Sequence, residues 1–229
     1  MVGTRSGGAG GFDPGDTFIL AVVHDLRASV SALSGSIGVL RDQLDHPSTF
    51  DVDAGRRMLE TMGAAVGDIE GVIDDLFDAE RLEQGVTTVR RDATPVAGLV
   101  REVVGRSRDP ARVRLDVDDV TVDVDPGLTR RIVANLVENA LQHTSGDGPV
   151  TVCGRDEGDH LLLHIDDEGP GIPDDLRDEL FEPFHRSTAG GMGVGLHLVR
   201  AFARLHGGDA WIDDLPGGGT SVRVRLATS

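Results

Sequence analysis

From Ile19 onward, the apolar residues Ile19, Val23, Leu26, Val30, Leu33, Ile37, Leu40 and Leu44 follow one another at alternating steps of four and three. A β-strand cannot use that spacing, because its side chains change face at every residue. On an α-helix the same spacing draws a single seam along one side. Asp16 or Thr17 can cap the start of this helix, and His46-Pro47-Ser48 breaks it. A second run, Leu59, Met62, Val66, Ile69, Ile73 and Leu76, keeps the rhythm, and Met58, Ala65, Val72 and Ala79 add another apolar stripe beside it. It stops near Gln84-Gly85, where a glycine can end a helix. Two helices of a hairpin cannot bury both stripes on each other. The spacing therefore predicts that two copies of the chain join as a four-helix bundle. The competing arrangement lays the second stripe on the rest of the same chain.

After Gly85 the texture changes. Thr87–Arg90, Val113–Leu115, Thr121–Val124, Val150–Cys153, Leu161–Ile165, Ala210–Ile212 and Ser221–Leu226 read as strands. Pro95–Ser107, Pro126–His143, Asp174–Leu180 and Val194–Leu205 read as helices, with Pro126 near a first helical position. Links of hairpin length between these pieces predict an α+β layer of helices on a mixed sheet rather than a doubly wound parallel one. The expected division is a Gly-rich, flexible leader at residues 1–15, a helical hairpin at 16–85 and an α/β domain at 86–229.

Charge narrows the partners. The 229 residues carry 22 basic groups, all arginine, against 39 acidic ones, a net charge of −17 and a pI near 4.7. A nucleic acid or an anionic membrane surface needs a basic face, so neither is expected. The longest apolar stretch, Phe18–Val23, is far short of a membrane span. Cys153 is the only cysteine, so neither an intramolecular disulfide nor a Cys-based zinc site is expected, and a reducing cytoplasm is the expected setting.

Three patches carry chemistry. His24 sits one residue beyond a seam position and can reach solvent. Neutral imidazole is a nucleophile near neutral pH, and Asp25 beside it can orient the ring or take its proton. Alone, a surface His–Asp pair is commonplace. Asn135 and Asn139 share a helix face, and their amide oxygens suit Mg²⁺ carried by a nucleotide as well as they suit water. Asp167-Glu168-Gly169-Pro170-Gly171 follows a strand, and Gly190-Gly191-Met192-Gly193-Val194-Gly195-Leu196 opens a helix. Glycines let a backbone approach a ligand, and a helix N-terminus favours phosphate. The order does not match a P-loop, which also needs a lysine this chain lacks.

Taken in order, these patches resemble the catalytic core of a two-component sensor histidine kinase. His24-Asp25-Leu26-Arg27 is similar to the phospho-acceptor box and Asn135–Asn139 to the Asn box. Asp167–Gly171 is similar to the first glycine box, Phe181-Glu182-Pro183-Phe184 to the Phe box, and Gly191–Leu196 to the second glycine box. The resemblance spans about residues 16–227. It implies a homodimeric phospho-acceptor hairpin followed by a Bergerat-type α/β sandwich that binds ATP and Mg²⁺. Asn139 would ligate the metal, with Asn135 supporting it and His143 nearby. Asp167 would accept from the adenine amine, and Gly169 and Gly171 would line the base. Gly191, Gly193, Gly195 and Leu196 would face the phosphates. Phe181 and Phe184 would anchor a lid over residues 181–193, and Arg186 would be its cation for the γ-phosphate. His24 would attack that phosphate, assisted by Asp25, and the group would pass to an aspartate of a response regulator's receiver domain.

Three departures from the family's pattern matter: Ala28 and Ser29 in place of Thr or Asn then Pro, Gln142 in place of Lys, and Met192 in place of Thr. Without a hydroxyl or amide at position 28, little phosphatase activity is expected. Two rival readings share the domain: a phosphotransfer adaptor without catalysis, and a serine kinase of the anti-sigma-factor class. The second would lack the hairpin that bears His24.

Overall fold

The computed structural model describes residues 14–45, 51–144, 146, 148–183 and 193–229, with backbone alone at residues 14–21 and 25. Two long helices come first, α1 (Pro14–Asp45) and α2 (Val52–Glu83). They lie along each other as a hairpin. Asp51 caps α2, its carboxylate accepting from the backbone N–H groups of Asp53 and Ala54 at 2.9 and 3.2 Å. The first helix starts at Pro14, inside the stretch expected to be a leader.

The seam behaves as two half-seams. Leu26, Leu33 and Leu40 on α1 and Met62, Ile69 and Leu76 on α2 are half-buried. The described seam residues between them are exposed: Val23, Val30, Ile37 and Leu44 on α1, Leu59, Val66 and Ile73 on α2. Their exposures run from 41% at Val23 to 60% at Leu44 and Leu59. The second stripe divides as well. Val72 and Ala79, with Leu82 and Val22, pack against the core of the C-terminal region, so this part follows the competing arrangement rather than the bundle. The residues left for a bundle are the seven-residue rows of the seam itself.

The remainder is an α/β sandwich. Its elements are β1 (Asp92–Pro95), α3 (Val96–Val104), β2 (Val113–Val117), β3 (Thr121–Val124), α4 (Pro126–His143), β4 (Val150–Asp156), β5 (His160–Asp167), α5 (Gly195–Leu205), β6 (Asp209–Asp214) and β7 (Thr220–Ala227). Five strands form a sheet in the order β2-β4-β5-β7-β6. Only the β2–β4 pair is parallel, and β1 and β3 make a separate antiparallel ribbon. The sheet is mixed, as the short links predict. One face of β5 supplies Leu161, Leu163 and Ile165. These join Val133, Leu136 and Val137 of α4 and Leu198 and Phe202 of α5 in one buried core.

Two local expectations need correction. Thr87–Arg90 is not a strand, and β1 starts only at Asp92. The reason is Asp125. One of its carboxylate oxygens accepts the Arg90 backbone N–H at 2.7 Å, taking the place of a strand partner. The other caps α4 by accepting from Gly127 and Leu128. The stretch expected as one helix at Asp174–Leu180 is instead two single 3₁₀ turns, Asp174–Leu176 and Glu179–Phe181. The helix expected at Pro95–Ser107 is shorter, Val96–Val104. Among the described residues no helix is long and apolar enough to cross a membrane.

Candidate nucleotide site

Helix α4 organises the site, because it neighbours both the end of β5 and the start of α5. Its apolar face, Ile132, Val133, Leu136, Val137 and Ala140, is buried in the core and fixes the helix in rotation. Asn135 and Asn139 lie half-buried on another side.

Asp167 is the last residue of β5 and is 6% exposed. Burial pushes its carboxyl above the ordinary range, while the Gly169 N–H and the nearby His143 pull it back down. Its Oδ1 accepts that N–H at 2.8 Å. A side chain at position 169 would collide here, since a Cβ would lie 2.5 Å from Asp167 Oδ1 and 3.3 Å from the His143 carbonyl oxygen. Gly219 is equally constrained on the other side. Its φ is +103°, and a Cβ there would come within 2.1 Å of the Asp167 carbonyl oxygen. Gly169 thus packs on the Asp167 carboxylate and Gly219 on its backbone carbonyl, so two glycine backbones close around this residue.

At the other end, Asn135 Nδ2 donates to the Gly195 carbonyl oxygen at 3.4 Å, joining α4 to the first turn of α5. Asn135 also hydrogen-bonds Asp75 of the hairpin. Gly193 adopts a positive φ just before α5, and Leu196 packs against the core. Phe181 is buried. Its carbonyl oxygen lies 3.1 Å from His197 Nδ1, and Arg200 stands 4.9 Å from its ring centroid.

The structure thus draws Asn135, Asn139, His143, Asp167, Gly169, Gly171, Phe181, Gly193, Gly195 and Leu196 around α4, the end of β5 and the start of α5. Phe184, Arg186 and Gly191 lie outside the described residues, as does Met192. His24 is exposed on α1, in the hairpin. Sequence reasoning missed four contributors. Gly219, His197 and Arg200 act by packing and carried no motif, although His197 and Arg200 are spaced to share one face of α5. Asp75 was hidden in an acidic stretch of α2. Burial pushes its carboxyl up to about 6, reinforced by Asp78 and Asp74 and opposed by Arg131 and Asn135. Arg131 of α4 reaches all three carboxylates, Asp74 at 3.1 Å, Asp75 at 3.0 Å and Asp78 at 2.6 Å.

Residues 124–229, from β3 through β7, match the family described as histidine kinase-, DNA gyrase B- and HSP90-like ATPases. The chain is 30% identical over 224 residues to the sensor protein KdpD of Mycobacterium tuberculosis, covering 92% of this chain and 26% of KdpD. It is 33% identical over 222 residues to the histidine protein kinase DivJ of Caulobacter vibrioides, covering 91% of this chain and 36% of DivJ. The chain therefore spans about a quarter to a third of the length of these relatives. Among solved structures, the mycobacterial sensor histidine kinase MprB aligns with a TM-score of 0.54 at 28% identity, over 60% of this chain and 97% of that one. The Acinetobacter baumannii histidine kinase AdeS aligns with a TM-score of 0.62 over 90% of this chain and 98% of its own; at 20% identity it speaks for the fold alone. The C-terminal region has the histidine kinase ATPase fold, preceded by a helical region.

Proposed function

We propose that the chain is an ATP-dependent protein histidine kinase that phosphorylates itself on His24 and passes the phosphoryl group to an aspartate of a response regulator. The observation that carries this reading is the buried Asp167 at the end of β5, its carboxylate accepting from the Gly169 N–H and its backbone carbonyl packed against Gly219. A carboxylate so placed accepts a hydrogen bond from an adenine amine, and the glycines leave room for the flat base. The similarity to sensor kinases along nine-tenths of the chain supports it.

Asn139, half-buried on α4, is the residue to hold Mg²⁺, and an amide oxygen suits that hard ion. The metal would neutralise phosphate charge. Asn135 is a positioning residue in this reading, since its amide is spent on Gly195 and Asp75. Gly193, Gly195 and Leu196 present the start of α5 to the phosphates, where backbone N–H groups and the helix dipole favour negative charge. His143 closes the adenine end beside Asp167. Phe181, held by His197 and Arg200, anchors the near side of a lid that would contain Phe184, Arg186 and Gly191.

In the transfer, a ring nitrogen of His24 bonds to the γ-phosphorus, the bond to the bridging oxygen of ADP breaks, and Asp25 takes the ring proton. Catalysis would be chiefly positioning and charge neutralisation. The exposed seam rows of the hairpin support homodimerisation, and the net charge of −17 fits a receiver domain rather than nucleic acid as the partner. A cytoplasmic setting follows from the same reading.

Incubation with labelled ATP tests it. Acid-labile, base-stable label on the protein, abolished by His24→Gln with ATP binding retained, is the expected result. Label that persists in the variant, no label at all, or label only on a partner's serine would each refute it, the last two in favour of an adaptor or an anti-sigma-type kinase.

A further inference from the structure

The sheet has a second polar constellation on the face turned away from the helices. Along β5 the buried residues Leu161, Leu163, Ile165 and Asp167 point to the core, and His160, Leu162, His164 and Asp166 point the other way. Cys153 of β4 pairs directly with His164 of β5, so their side chains share that outer face. One ligand atom from each of Cys153, His164 and Asp166 lies within 4.8 Å of the others. His164 Nδ1 is 3.1 Å from Asp166 Oδ1. The His164 and Asp166 side chains are about four-fifths buried, at 20% and 23% exposure, and Cys153 is 6% exposed. Cys153 is a buried free thiol, with the charges of Asp166, Asp116 and Arg155 acting on it.

We propose that Cys153, His164 and Asp166 form a binding site for a thiophilic divalent cation of the Zn²⁺ class, separate from the nucleotide site. Thiolate and imidazole select such a metal over Mg²⁺ or Ca²⁺, which prefer all-oxygen shells. Charge also balances. Binding displaces one proton from the thiol, and the resulting thiolate and the Asp166 carboxylate together neutralise a dication. Zn²⁺ bonds of about 2.0–2.3 Å place ligand atoms roughly 3.5 Å apart, a spacing inside the 4.8 Å that bounds these three atoms. Water would complete a four-coordinate shell, as in sites with three protein ligands. A redox or nucleophilic role for Cys153 fits less well. Burial, then Asp166 and Asp116, push its thiol pKa up, which disfavours the free thiolate such chemistry needs.

The chain has no other cysteine, so a thiolate signal can come only from this position. The test titrates the metal-free full chain with Co²⁺ and follows the thiolate-to-cobalt charge-transfer band. One equivalent of Co²⁺ should produce the band, Zn²⁺ should displace it, and excess Mg²⁺ should not. Cys153→Ser should abolish it. His164→Gln and Asp166→Asn should each weaken Zn²⁺ binding by about tenfold or more. Mg·ATP affinity should be unchanged in Cys153→Ser, which keeps this result independent of the kinase reading. No band from folded parent protein would overturn the proposal. So would parent-level Zn²⁺ affinity in His164→Gln, a variant on the more accessible side of the site that still decides the matter if Cys153→Ser fails to fold.

Discussion

The hairpin and the α/β sandwich solve the same problem in opposite ways. The sandwich closes its apolar residues into a core of its own, with Leu161, Leu163, Val133 and Leu198 fully buried. The hairpin is about as long as a small domain, yet on α2 only Gly55 and Ala65 are buried, and whole rows of valine, leucine and isoleucine face outward. Two helices have too little mutual surface to hide a heptad seam, whereas a sheet covered by helices can bury an entire strand face. The difference separates a part that covers its own apolar residues from one that leaves two apolar rows exposed.

That contrast can be broken by substitution. The largest effect is expected for Ile73→Glu, in the outward row of α2. A charge buried in a helix–helix interface should convert a dimer to monomers, measured by light scattering on the full chain, with the sandwich still folded. If the parent is itself monomeric, the outward rows have no self-partner and the comparison fails. Leu163→Ala, in the sandwich core, should cost about 2–5 kcal/mol in urea unfolding and leave dimerisation alone.

Asp75 sharpens the boundary between the two regions, since it belongs to the hairpin but is buried against α4. Its folded-state value of about 6 lies above its ordinary 3.8. The folded protein therefore binds the extra proton. The contribution is fully present below about 4 and is lost as pH rises through about 6, by no more than about 3 kcal/mol. Asp75→Asn cannot ionise. The stability difference between variant and parent should move in the variant's favour as pH rises across that window. A difference independent of pH would mean that Asp75 does not titrate there.

The smallest of these effects belongs to the nucleotide site. Asp167→Asn replaces an acceptor with a group that can also donate, and should weaken ATP binding by about tenfold to a hundredfold, corresponding to roughly 1–3 kcal/mol. Calorimetric titration with ATP reads this directly, and an unchanged curve would remove Asp167 from the site.

Much of this is legible in the order of residues alone. The four–three spacing specifies two helices, because no other element repeats near three and a half residues. Pro126 and the residues up to His143 mark α4 to the residue, and the alternation of β5 separates Asp167 from Asp166 by face. The glycines flag the site because a close backbone approach has few substitutes.

What tertiary structure alone decided was partnership between distant residues. The short piece Thr87–Arg90 has strand character, and its fate turned on Asp125, thirty-five residues away from Arg90. Arg131 looks like any helix-surface cation until three aspartates of α2 are laid beside it. Gly219 bears no motif, yet its backbone closes against Asp167. Local pattern sets secondary structure because it acts through neighbours on one helix or strand. Which half of a seam is covered, which carboxylate is buried and which glycine is indispensable depend on contacts between elements, and those exist only once the chain has packed.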